Sequence, residues 1–456
     1  MREKQQNFTQ GAILPALLKF ALPVLLALLL QAMYGAVDLQ VVGRFGTAAD
    51  ISAVSTGSQI MQSITIIITG LAMGVTVLLG QKIGEGRPEE AGAAVGSGIC
   101  LFGVLTLAVM AVMLLAAPWT ASLLKAPADA FAGTVIYVRI CSAGAVFIVA
   151  YNLLGSVFRG VGDSKMPLVT VAIACVLNIV GDLVLVAVFH LGVAGAALAT
   201  VAAQFVSAAL VLTALMKLPE DIRLKPDGLR LNTALLGRIL VIGVPAGLQF
   251  ITFDLSNLLV QSSINSFGDV TMAAWAAIGK ADGLTWMISG AFGVSVTTFV
   301  GQNFGAQKYG RIRQSVWVCM GMSVAMIGAL AALELTFREL ILGFFTADLA
   351  VIQVGAYAML WIVPFNAVFM PVEVFAGAMR GTGYSVVPTA ITSICVCGFR
   401  VLWVLTAVRM FHTIEMLCVT YPLSWLLATI VFYITYLRGN WLSSRIIACG
   451  MEPEVR

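Results

Sequence analysis

The chain has 456 residues, 60% of them hydrophobic and only 11% charged, with a mean hydropathy of +0.98 and a formal net charge of +4. An ordinary soluble domain carries roughly 25% charged residues, so this composition excludes a soluble fold and requires a solvent that accepts apolar surface, which is the lipid bilayer. The 44 glycines suit helices that pack closely in lipid, where small residues let backbones approach.

The first ten residues, Met1 to Gln10, hold Arg2 and Lys4 but no short apolar region with a small-residue cleavage site. No signal peptide is read there, and the first span is expected to serve as the insertion signal. Apolar runs then recur near 15–42, 51–83, 91–117, 128–157, 165–189, 192–216, 237–266, 270–303, 312–337, 349–378, 385–408 and 413–437. Each is too long for a barrel strand, and a segment in lipid must satisfy its own backbone, so all are predicted to be transmembrane helices. The expected fold class is all-α integral membrane, with about twelve spans in two pseudo-symmetric six-helix lobes.

An even number of spans places both termini on one side. The termini and even-numbered loops hold 19 of the 26 Lys and Arg residues, including Arg159, Lys165, Arg311, Arg313 and Arg380. The positive-inside rule therefore puts both termini in the cytoplasm. The longest polar stretch, Lys217 to Arg230, contains Pro219, Pro226 and Gly228 and reads as a linker. The expected division is a first lobe over 1–216, a cytoplasmic linker over 217–236 and a second lobe with its tail over 237–456.

The two halves repeat. Phe158-Arg159-Gly160-Val161-Gly162 matches Met379-Arg380-Gly381-Thr382-Gly383, and at the same offset of 221 Gly80-Gln81-Lys82-Ile83-Gly84 matches Gly301-Gln302-Asn303-Phe304-Gly305. One residue away from that offset, Pro23 matches Pro245. Six spans separate equivalent points, so the halves share an orientation, as in transporters built from parallel repeats. The glycines of each Arg-Gly-x-Gly permit a tight cytoplasmic turn, and Pro23 and Pro245 each remove a backbone bond inside a span.

Eight cysteines show no metal or redox spacing and read as small buried hydrophobes. The two histidines, His190 and His412, fall at outer ends of spans, and no nucleophile triad or phosphate loop is present, so no enzyme and no structural metal is expected.

Polar groups inside spans carry the functional reading, because a carboxylate near the bilayer centre costs roughly 2.5–3.5 kcal/mol. Gln31, Tyr34 and Asp38 share a face of the first span by three- and four-residue spacing; Asn178 and Asp182 do so in the fifth, and Thr200 and Gln204 in the sixth. Together they offer two carboxylates and neutral oxygens, a set suited to Na+ or, through one carboxylate, to H+. The ligand count falls short of a full Na+ shell, which tilts the reading to H+. The second half lacks this set, since Asp38 aligns near Val260 and Asp182 with Trp403. It carries Asp254, Lys280, Asp282, Glu373 and Arg400 instead, with Glu373 seven residues beyond Asn366 on one face. Lys280 is expected to pair with Asp254 or Glu373, and a basic group there would disfavour cationic substrates. Asn152, Met33 and Met287 join the residues that could line an adaptable substrate cavity.

The run Phe20-Ala21-Leu22-Pro23, then Val37-Asp38-Leu39-Gln40-Val41-Val42-Gly43-Arg44-Phe45, resembles the first span of the multidrug and toxic compound extrusion (MATE) family. Also similar are Gly80-Gln81-Lys82-Ile83-Gly84, both Arg-Gly-x-Gly turns, Asn178-Ile179-Val180-Gly181-Asp182 and Gly195-Ala196-Ala197-Leu198-Ala199-Thr200, and in the second half Gln261-Ser262-Ser263-Ile264-Asn265-Ser266-Phe267-Gly268 and Val300-Gly301-Gln302-Asn303-Phe304-Gly305 resemble a bacterial branch common in Firmicutes. The resemblance covers nearly the whole chain. It implies a V-shaped pair of lobes, export of amphipathic organic compounds in exchange for H+ or Na+, and a first-lobe cation site at Asp38, Asn178, Asp182 and Thr200. No cofactor beyond the coupling ion is expected, and no nucleic acid; the partners are a small amphipathic substrate and membrane lipid, and the chain is expected to be a monomer. The rival from the wider superfamily is a flippase for a lipid-linked precursor or metabolite, for which Arg139, Lys280 and Arg400 are the few basic candidates.

Overall fold

The computed structural model describes residues 8–219, 223, 232–438 and 440–451, and these form helices and turns with no strand among them. In chain order the helices are α1 Ile13–Phe45, α2 Ala48–Gly84, α3 Pro88–Leu123, α4 Phe131–Ala143, α5 Ala145–Val161, α6 Lys165–Val188 and α7 Gly192–Met216. There follow α8 Thr233–Asn265, α9 Asp269–Ala281, α10 Gly283–Gly305, α11 Tyr309–Thr336, α12 Arg338–Phe345, α13 Leu349–Gly381, α14 Val386–Phe411, α15 Ile414–Arg438 and α16 Trp441–Ala448. Eleven of these are long and apolar enough to cross a membrane, and α4 with α5, bent by 55° at Gly144, can supply a twelfth span. The apolar runs thus fold as the expected helices. The differences are breaks inside them, at Gly144 and Asp282, and the two short helices α12 and α16. Most of the linker expected over 217–236, and residues 1–7, lie outside the described residues.

Local chemistry sets the helix ends. Thr47 and Asp50 form a capping box at α2, with Thr47 N donating to Asp50 Oδ2 at 2.8 Å and Asp50 N to Thr47 Oγ1 at 3.2 Å. Pro88 opens α3, where its missing N–H costs nothing. Gly162 and Gly383, equivalent in the repeat, end α5 and α13 with φ of 92° and 82°, a backbone that favours glycine.

The repeat extends into packing. Thr76 of α2 donates to Ser156 O of α5 at 2.9 Å, and Thr297 of α10, its partner at the same offset, donates to Gly377 O of α13 at 3.0 Å. A Cβ on Gly160 would stand 2.8 Å from Thr76 O, and one on Gly381 would stand 2.7 Å from Thr297 O, so glycine is needed for this helix contact in both halves. Even a backbone irregularity repeats: a π-helical turn occupies Leu183–Val188 in α6, and another occupies Val404–Val408 in α14.

By contacts the chain forms two compact units, Leu22–Gly247 and Phe8–Ala21 with Leu248–Arg456. Both α1 and α8 therefore pass from one unit to the other, within a few residues of Pro23 and Pro245. In the first unit, Leu78, Leu79, Val95, Phe102, Val157 and Phe158 lie in one core where α2, α3 and α5 meet. In the second, the segment Phe8–Gly11 is fastened to α10 and α11. Phe8 is fully buried against Phe20 and Phe299, and its carbonyl accepts from Asn303 Nδ2 at 3.2 Å and Arg311 Nη2 at 2.9 Å.

Candidate functional site

Three helices of the first unit converge on the residues singled out above. α1 carries Asp38, α6 carries Asn178 and Asp182, and α7 carries Thr200. The short turn Phe189–Leu191 makes α6 and α7 an antiparallel pair, which brings Asn178 Nδ2 to 3.4 Å from Thr200 Oγ1. Asp38, Asn178 and Asp182 are buried, and Asp182 has no exposed surface. The Asp38 carboxyl lies within hydrogen-bonding reach of Asp182, Asn178 and Thr200.

A hydrogen bond between two carboxyls exists only while one of them holds a proton; two ionised carboxylates at that range repel. With both ionised, Asp182 Oδ1 and Oδ2, Asp38 Oδ1 and Asn178 Oδ1 are buried with no donor. Buried acceptors of this kind are costly until something positive sits among them. The group can hold one proton between the carboxyls, or a small hard cation among carboxylate, amide and hydroxyl oxygens. Among the described residues no cluster of three or more His, Cys, Asp or Glu gathers as a metal centre.

The surroundings of the pair are phenolic. Tyr34, one turn before Asp38, lies within electrostatic reach of it. Tyr137 of α4 was not foreseen from the sequence: its hydroxyl accepts from Ser58 Oγ at 3.0 Å, and it lies beside Asp38 and Thr200. Nothing in the local spacing of α4 marks Tyr137, because its partners are on other helices. Gln31 is close enough to hydrogen-bond Tyr151, and Gln204, one turn beyond Thr200, keeps its Oε1 buried without a partner. Asn152 is engaged elsewhere, accepting from Thr69 Oγ1 at 3.3 Å and donating to Ile148 O at 2.8 Å. Met33 is exposed and Met287 half-buried.

The second unit departs from expectation in its charge pairing. Glu373 binds Arg380, the arginine of the second Arg-Gly-x-Gly, at 2.9 Å, with Arg380 almost wholly buried. Lys280 and Asp254 are both exposed, and no ion pair joins them. The expected pairing of Lys280 with Asp254 or Glu373 is therefore corrected: Arg380, seven residues beyond Glu373 on the same helix, takes the carboxylate, whereas Lys280 is exposed in the last turn of α9. Asn366 does not work with Glu373 either. Its Nδ2 donates to Asp282 Oδ1 at 2.7 Å.

The MatE family profile matches residues 23–184 and 245–406, once in each half, and so covers most of the chain. Among the relatives is the probable multidrug resistance protein YpnP of Bacillus subtilis, 26% identical over 383 residues that span 83% of this chain and 85% of the relative. The multidrug export protein MepA of Staphylococcus aureus is 23% identical over 367 residues, 78% of this chain and 79% of that one. The crystal structure of the Vibrio cholerae MATE transporter VcmN in its bent form shares the fold, with a TM-score of 0.88 at 23% identity over 97% of this chain and 99% of that one. The chain belongs to the MatE family, the multidrug and toxic compound extrusion transporters of the cell membrane.

Proposed function

We propose that this chain exports amphipathic organic compounds in exchange for H+ or Na+, with Asp38, Asn178, Asp182 and Thr200 as the cation site. The observation that supports this most is the pair of buried carboxyls, Asp38 and Asp182, whose oxygens have no donor unless a proton or cation lies between them. Such a pair changes its charge with every ion bound, and a group of this cost inside a span is retained for a task. Names of relatives such as MepA, a multidrug export protein, agree in substrate class. The excess of Lys and Arg in even-numbered loops favours cytoplasmic termini. The mechanism is antiport by alternating access: drug and ion favour different conformations, and that difference in affinity is the whole of the coupling. The chain acts as a monomer in lipid.

The test is ethidium efflux from vesicles with a pH gradient and a Na+ gradient imposed separately, for wild type and Asp38→Asn. Efflux driven by one gradient and lost in the folded variant supports antiport and names the ion. No efflux with either gradient, from folded protein, supports the lipid-linked precursor or metabolite carrier instead.

A further inference from the structure

The second unit gathers four chain segments at one end: residues 8–20, 304–314, 381–385 and 437–451. Lys308 Nζ donates to Thr9 O at 2.8 Å, and Arg311 Nη1 donates to Gly11 O at 2.9 Å. Arg445 of α16 donates from Nε to Thr382 O at 3.0 Å, and Tyr309 Oη lies 3.7 Å from Met451 Sδ. These bonds seat cations on carbonyl oxygens, which orient a charge without neutralising it. Lys19 and Arg438 add two exposed charges. None of these described segments contains an Asp or Glu; the tail beyond them carries Glu452 and Glu454.

Membrane side alone does not dictate this, because the equivalent turns of the first half lie six spans away and so on the same side. At the repeat offset, Glu85 falls on Ala306, Glu89 on Gly310, Glu90 on Arg311 and Asp163 on Tyr384. Every acid of the first-half turns is thus exchanged for a neutral or basic residue. In the first unit these acids neutralise their own turn: Lys82 Nζ is 2.9 Å from Glu85 and 2.6 Å from Glu90, and Arg87 Nη1 is 3.2 Å from Glu90. A rule that only sorts Lys and Arg to one side would act on both halves alike. The side chains near the second-unit cations suit a bilayer surface. Leu437, next in sequence to Arg438, is 62% exposed, and Ile447, two residues from Arg445, is 71% exposed. Tyr436 and Trp441 flank Arg438 with ring centroids 5.4 Å apart, the residue types that favour the headgroup level.

We propose that Lys19, Lys308, Arg311, Arg438 and Arg445 form a docking surface for the headgroups of anionic phospholipid, on the second lobe and not on the first. Cations set beside exposed apolar side chains match a molecule that offers a phosphate and acyl chains together. Each Lys or Arg near an anionic lipid surface contributes roughly a fivefold gain in partition. Arg380 takes no part, since it is buried against Glu373, and Arg313 has other contacts within the chain. The leaflet is the cytoplasmic one under the orientation proposed above, but the binding itself rests neither on that orientation nor on transport.

The experiment uses purified full-length protein in a neutral detergent, with size exclusion confirming one folded species. It measures equilibrium binding of phosphatidylglycerol and of phosphatidylcholine that carry the same fluorescent acyl chain. Wild type is expected to prefer phosphatidylglycerol, and the preference to fall with added salt. Lys308→Gln with Arg438→Gln should weaken phosphatidylglycerol binding at least ~10-fold and leave phosphatidylcholine binding unchanged. Arg87→Gln with Lys217→Gln removes two exposed charges from the first unit and should leave both nearly unchanged. Ala306→Glu with Gly310→Glu gives the second half the acids of the first and should also weaken phosphatidylglycerol binding ~10-fold. A Cβ at Gly310 meets nothing within 4 Å, so this pair keeps the test valid if Lys308→Gln disturbs the segment at Thr9. Equal affinity for the two lipids in wild type, equal loss from the first-unit and second-unit pairs, or no loss from either second-unit pair overturns the proposal. Ethidium efflux does not enter this readout, so the transport reading can fail while the lipid preference stands.

Discussion

Glu373 is an intramembrane carboxylate, yet the structure makes it a counter-charge, and replacing it by Gln separates the two roles. Its Oε1 is 2.9 Å from Arg380, whose side chain is 4% exposed against 20% for Glu373. Glu373→Gln leaves the guanidinium buried with its charge uncompensated, and Arg380 Nε already has no partner. Removing one partner of a buried pair costs about 3–5 kcal/mol; the partial exposure of Glu373 places this case near 3 kcal/mol, on the order of a hundredfold in the folded population. Removing both charges, with Glu373→Gln and Arg380→Gln, should recover most of that loss, because no lone charge then remains. The assay is thermal survival of the monodisperse peak on size exclusion in detergent, alongside ethidium efflux at a temperature where all variants are folded. An unchanged melting point in Glu373→Gln with efflux abolished would refute the reasoning and make Glu373 a coupling residue.

Gly381→Ala places a methyl group 2.7 Å from Thr297 O and beside Val300, and the equivalent Gly160→Ala meets Thr76 O at 2.8 Å, so each should lower stability by about 1–3 kcal/mol, read as thermal survival. Arg311→Ala removes the donors to Phe8 O and Gly11 O and should make a cysteine placed at Thr9 react faster with a water-soluble maleimide, with little change in overall melting. Asp254→Asn alters an exposed charge and should leave thermal survival unchanged; any effect should be on which substrates are exported, measured as the ratio of ethidium efflux to that of an anionic dye.

Several parts of this architecture were legible in the sequence because they are local. Span positions follow from unbroken apolar runs, and the pairs Asn178 with Asp182 and Thr200 with Gln204 follow from four-residue spacing on one helix. The repeat could be seen because Arg-Gly-x-Gly returns with its glycines, and the structure gives the reason: one glycine of each motif takes a positive φ and the other lets two helices touch. What escaped the sequence depends on partners far along the chain. Tyr137 meets Asp38 and Thr200 only through folding, and Asp282 bonds Asn366 across 84 positions. Lys280 was misassigned for the same reason. Charge alone suggested a partner for it, whereas the register of α13 gives Glu373 to Arg380. The docking of Phe8 onto α10 and α11 leaves no periodic signature either, since it is made by backbone carbonyls and by Asn303, where the first half carries Lys82.

The central claim is that the Asp38–Asp182 pair couples ion and substrate rather than merely joining helices. Proteoliposomes holding wild type, Asp38→Asn and Asp182→Asn allow one direct comparison: ethidium moved against its gradient by an imposed pH or Na+ gradient, and ethidium exchanged at equilibrium with no gradient. The account predicts that both variants lose gradient-driven accumulation and keep equilibrium exchange, because the substrate path remains while the ion no longer biases it. Undiminished gradient-driven transport in both variants would contradict it.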